Sequence, residues 1–150
     1  MQKSLNIIGG IHPQMKVHID VAKISERIRA VAEKYEIVYA ILFGSIVEGR
    51  FIPGESNVDL AIKVDKLDKS QLFNFLKNFL RDLEVENLDV VLINFSPFSL
   101  SYDILMKGKV IFCKNEEELF EDRLKIMKLY DDWSYLSKEF EKREIEKVMK

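Results

Sequence analysis

The chain has 150 residues, of which 47% are hydrophobic and 32% charged, with a formal net charge of −2. This length suits one domain, or one domain with a helical appendage, and buries enough apolar surface to need no metal or disulfide staple. The charge gives no footprint for strong binding of duplex nucleic acid or an anionic membrane, and no apolar run approaches the ~20 residues of a membrane span.

Residues 1–16 contain Gly9-Gly10 and His12-Pro13 and are expected to form an N-terminal arm without a signal-peptide pattern. A domain is expected over 17–114, with a helical extension of it over 115–150. From Asp20, a plausible N-cap, Val21, Ile24, Ile28, Val31 and Tyr35 recur at three- and four-residue steps, which predicts a helix with one apolar stripe. Ile37–Phe43 is short, apolar and β-branched, which suits a buried strand, and it runs into Gly44-Ser45. Val58–Val64 alternates, with Val58, Leu60, Ile62 and Val64 on one face and Asp59, Ala61 and Lys63 on the other.

Ser70–Leu83 is an amphipathic helix by its Leu72, Phe75, Leu76, Phe79 and Leu83 stripe. Leu88–Phe95 reads as a second buried strand, Pro97–Lys107 as a short helix stopped by Gly108, and Val110–Cys113 as a last strand. Cys113 is the only cysteine, so no internal disulfide forms and a cytoplasmic protein is expected; the residue reads as a small apolar filler near a strand end. From Asn115 onward the chain is charged and helical, with Phe120, Leu124, Met127, Tyr130, Trp133, Leu136 and Phe140 as its apolar stripe and Asp131-Asp132 as a potential break. The tail aromatics suit packing, a partner surface or a homo-oligomer contact. The order of elements predicts an α/β fold, a small mixed sheet flanked by helices with a long C-terminal helical extension.

The chemistry concentrates in Leu42–Asp65, LFGSIVEGRFIPGESNVDLAIKVD. A strand that ends in Gly44-Ser45 can hold a phosphate, because glycine lets the backbone approach and serine adds a hydroxyl donor. Asn57 and Asp59 share one strand face, so their side-chain oxygens can converge on one cation, and Asp89 can reach the same cleft if its strand is a neighbour. Hard oxygen ligands that hold Mg²⁺ or Mn²⁺ on a triphosphate, with one carboxylate free to take a proton, are what phosphoryl transfer requires. His12 and His18 lack spaced Cys or Asp partners and do not read as zinc ligands.

LFGS, then Gly49, then SNVDLAI resembles the signature of the DNA polymerase β-like nucleotidyltransferase superfamily, over about residues 37–113. The short length and the tail, with FEDRLKIMKLYDDWSYL, most resemble its minimal nucleotidyltransferase (MNT) branch. That resemblance implies Gly44 and Ser45 as nucleotide-phosphate contacts, Asp59 as a metal ligand and Asp89 as the third acid. It implies Mg²⁺ with ATP or another NTP, transfer of a nucleotidyl group such as AMP to a hydroxyl, and an antitoxin role beside a HEPN-domain ribonuclease. The sequence departs from the pattern at Asn57, where the family carries an acid, and at Ile46, Val47 and Glu48. One lost unit charge is worth up to ~4 kcal/mol to a charge at about 4 Å and an effective dielectric near 20. Glu48 and Glu55 are the loop acids available to compensate. The expectation is therefore nucleotidyl transfer through Asp59, Asp89 and Asn57; the alternatives are a catalytically weak module that neutralises its partner by docking, and a nucleotide sensor without turnover.

Overall fold

The computed structural model describes residues 13–149. The first twelve residues, which hold His12 and most of the expected arm, lie outside the described part. Helix α1 spans Pro13–Val31 and so takes in Asp20, which is an interior helical residue and not the cap expected of it. Ile24 and Ile28 of its stripe are fully buried, with Ala32 and Tyr35 following.

Four strands form one mixed sheet in the order β3-β2-β1-β4. Strand β1 (Ile37–Phe43) is central, buried along nearly its whole length, and antiparallel to both β2 (Val58–Val64) and β4 (Lys109–Cys113). Strand β3 (Leu88–Leu92) runs parallel to β2. It is an edge strand, half-exposed, and the expected run to Phe95 stops early in a 3-10 turn at Ile93–Phe95. The turn has a use: Asn94 accepts from the Val64 N–H at 3.0 Å and donates to the Val64 carbonyl at 2.7 Å, which satisfies the end of β2 where β3 has ended.

The alternation in β2 decides the layers. Val58, Leu60, Ile62 and Val64 pack against α1 and helix α3 (Leu72–Leu83), which lays Phe79 and Leu83 on the sheet. Tyr35, Phe75 and Phe79 make edge and stacked aromatic contacts there. On the other face, Tyr39, Ile41 and Ala61 pack under helix α4 (Phe98–Lys107) and the start of helix α5 (Glu116–Met149). Cys113 sits half-buried at the end of β4.

Helix α5 is unbroken for 34 residues, so Asp131-Asp132 do not divide it. At 1.5 Å per residue it is about 51 Å long and outruns the body. Its inward contacts are Leu119 and Ile126, then Tyr130 stacked on Tyr102 with centroids 4.1 Å apart and Trp133 beside Phe98. The anticipated stripe does not face the core as one. Phe120, Leu124, Met127, Leu136 and Phe140 are exposed, because steps dominated by three residues fall short of the 3.6-residue turn and drift around the helix. Among the described residues no helix is long and apolar enough to cross a membrane.

Candidate functional site at the ends of the central strands

Phe43 ends β1 directly opposite Asp59 near the start of β2, so the chain leaves β1 at Gly44 beside that carboxylate. Gly44 has φ +77° and ψ −148°, a region that a side chain strains to occupy. The space is closed as well: a Cβ on Gly44 would collide with Oδ2 of Asp59. Two separate constraints thus demand glycine there. The Gly44 carbonyl then accepts from the Val47 and Glu48 N–H groups at 3.1 and 3.0 Å, winding Ser45–Glu48 (α2) into a single turn. Gly49 closes that turn in the left-handed region with φ +78°.

In the parallel pair β2–β3, Asp59 lies directly beside Asp89. Neighbouring strands are about 4.8 Å apart and register partners point the same way, so the two carboxylates stand side by side on the α4 face. Asp59 is half-buried; burial first, and the Asp89 charge second, push its carboxyl above the ordinary carboxylate range. Asp89 is exposed on the edge strand, and not in the buried strand expected of Leu88–Phe95. Asn57 sits one residue before β2, and its Nδ2 donates to Oδ2 of Asp89 at 3.2 Å. A carboxylate can only accept, which fixes the amide with its nitrogen toward Asp89. Beside Gly44, a cavity of about 160 Å³ is lined by Phe43, Val47, Glu48, Leu100, Asp103 and Lys107.

Residues 26–117 match the family described as polymerase beta, nucleotidyltransferase. The chain belongs to this nucleotidyltransferase family. Comparison with curated proteins returns no match. Among solved structures, a chain of a toxin–antitoxin with AMP-PNP superposes on the nucleotidyltransferase chain with a TM-score of 0.61 at 18% identity, covering 84% of this chain and 98% of that one. The toxin–antitoxin MntA-HepT gives a TM-score of 0.56 at 17% identity over 89% and 99% of the two chains. A tri-AMPylated Shewanella oneidensis HEPN toxin in complex with MNT antitoxin gives the same values, 0.56, 17%, 89% and 99%. At these identities the likeness is one of fold.

The fold thus brings Gly44, Asn57, Asp59 and Asp89 together, and Ser45 follows Gly44 as the first residue of α2. It does not bring in a substitute acid. Glu48 is paired with Arg50, and among the described residues no cluster of three or more His, Cys, Asp or Glu side chains could hold a metal. Two adjacent carboxylates fit one Mg²⁺ that also takes phosphate oxygens, since Mg²⁺ commonly uses one or two protein carboxylates besides its nucleotide.

Sequence reading missed the polar network behind the site. Lys63, on the same face of β2 as Asp59, reaches Asp122 at 2.6 Å and Glu118 at 3.0 Å on α5. The Tyr39 hydroxyl donates to the same Asp122 at 2.8 Å. The available signal was Lys63 itself, since an inward lysine in a central strand needs an anion.

Proposed function

We propose that this chain is an MNT-type antitoxin that binds a nucleoside triphosphate at Gly44-Ser45 and transfers its nucleotidyl group, AMP in the case of ATP, to a hydroxyl of a HEPN-domain partner. The observation that carries the reading is the side-by-side register of Asp59 and Asp89 next to Gly44. The backbone at Gly44 and the Ser45 hydroxyl would meet phosphate oxygens, because no side chain intervenes there. Asp59 and Asp89 would hold Mg²⁺, which when bound neutralises phosphate charge and orients the triphosphate.

In the transfer, the acceptor oxygen forms a bond to the α-phosphorus and the α–β bridging P–O bond breaks, releasing pyrophosphate. The acceptor's proton passes to a carboxylate, and Asp89 is the exposed one with an oxygen free of Asn57. The partner is supported by the toxin–antitoxin complexes among the structural likenesses and by the exposed apolar surface of α5. A cytoplasmic location is consistent with both.

One observation favours a second reading. The Asn57–Asp89 hydrogen bond occupies the site with an uncharged donor, which suits a module that neutralises its partner by docking with little or no turnover. Incubation of the purified pair with radiolabelled ATP and Mg²⁺ or Mn²⁺ separates the two. Label on the partner, lost in Asp59→Asn, is the expected result. An unlabelled partner in a stable complex would assign the protein to docking alone.

A further inference from the structure

The site departs from what two-cation phosphoryl transfer requires, and the departure has a specific form. We infer that Asn57 restricts this site to a single divalent cation, brought in with the nucleotide, and closes it to a second. The inference rests on the reading of Gly44, Asp59 and Asp89 as a nucleotide site.

Three observations carry it. The first is charge: Asp59 and Asp89 together supply two negative charges, which balance one dication. Among the described residues no third acid gathers with them into a metal-holding group, and Glu48 and Asp103, which line the cavity beside Gly44, are paired with Arg50 and Lys107. Two-metal sites hold their ions only about 3.5–4 Å apart, so a second dication requires further negative charge to offset its repulsion. The second is direction. The Asn57 amide donates to Asp89 at 3.2 Å, so its hydrogens, not its oxygen, face the carboxylate that a cation would use. Ligation through the Asn57 oxygen would need the amide to turn over and give up that bond. The third is the loop acids. Glu48 is engaged by Arg50, and among the described residues neither it nor Glu55 joins Asp59 and Asp89 in a group that could hold a metal.

The neutral amide also does part of a cation's work, since its N–H groups relieve the crowding of Asp89 beside Asp59. The nucleotide-free protein therefore has little affinity for Mg²⁺ or Mn²⁺. The cation arrives on the triphosphate and is held there by Asp59 and Asp89.

Mn²⁺ counting by electron paramagnetic resonance, on the full-length protein with a non-hydrolysable ATP analogue, tests this without relying on activity. The wild type is expected to retain one Mn²⁺ per bound nucleotide, and Asn57→Asp is expected to retain two. Without nucleotide, Asn57→Asp should bind Mn²⁺ at least about tenfold more tightly than the wild type. Two Mn²⁺ per nucleotide in the wild type, or equal counts in both proteins, would overturn the inference. Asn57→Ala keeps the test sharp, since it removes the amide without adding charge and should stay at one ion. Failure of the wild type to retain any nucleotide would instead overturn the reading of the site, and the inference with it. Matching thermal melts of the three proteins establish that the counts refer to folded chains.

Discussion

Gly44 and Asp59 are joined by geometry that neither residue shows alone. The motif spacing in the sequence put both in one site, but the reason for glycine emerged only from the register of Phe43 opposite Asp59, which aims the missing Cβ at a carboxylate oxygen. Asp59 bears a cost for its place, since burial and then the Asp89 charge raise its carboxyl above the ordinary value of 3.8. The sign follows from proton counting. Just above 3.8 the folded chain binds more protons at Asp59 than the unfolded chain, so stability falls as pH rises through that window and stays lowered above it. Asp59→Asn is therefore expected to raise the melting temperature at pH 7 by roughly 1–3 °C, the scale set by like charges directly opposed in a sheet. The gain should vanish as the pH falls below 3.8. Melts at pH 7 and below that value check it, and an unchanged or lower melting temperature at pH 7 would contradict the assigned strain.

At the scale of elements, strand β2 joins the site to the long helix. Asp59 and Lys63 lie on the same face, and Lys63 is held by Asp122 and Glu118 of α5 while Tyr39 of β1 shares Asp122. Burial works to lower Lys63, and the bonds to the two acids outweigh it, so the ammonium stays charged. Asp122→Ala leaves the buried Tyr39 hydroxyl without its partner and Lys63 with one acid in place of two. It is expected to cost about 2 kcal/mol, seen as a melting temperature lower by about 4–8 °C. A loss below about 1 °C would show that the network adds nothing to the docking of α5.

The helices and strands themselves were largely legible, because Ile24, Ile28, Leu60, Ile62, Phe79 and Leu83 repeat with the period of the element that buries them. Edge position was not. Apart from Asp89, β3 is as apolar in sequence as β1, and strand order is what separates a half-exposed edge from a buried centre. The α5 stripe misled for a related reason: its steps of three carry it around the helix, and sequence spacing alone does not say which part of a spiral meets the body.

On the scale of the whole molecule, the chain is a compact sheet with two helical layers and one helix that continues past them. Beyond Trp133 the large apolar side chains of α5, from Tyr135 to Met149, are 58% to 85% exposed. A helix of this length without tertiary contacts is only marginally stable. Backbone amides after Trp133 are accordingly expected to exchange at least about a hundredfold faster than those of β1, and to gain protection when a partner covers the apolar side chains. Hydrogen exchange followed by mass spectrometry measures both; equal protection along α5 in the isolated chain would contradict an unsupported distal half.

Nucleotide binding at Gly44 is the proposed property from which the rest of the account follows. Isothermal titration of the protein with a non-hydrolysable ATP analogue in Mg²⁺ tests it most directly. Saturable one-to-one binding that Gly44→Ala reduces by at least about tenfold is the predicted result, since a methyl group there meets Asp59 and strains a backbone at φ +77°. No binding by the wild type, or equal binding by a folded Gly44→Ala protein, would contradict the account.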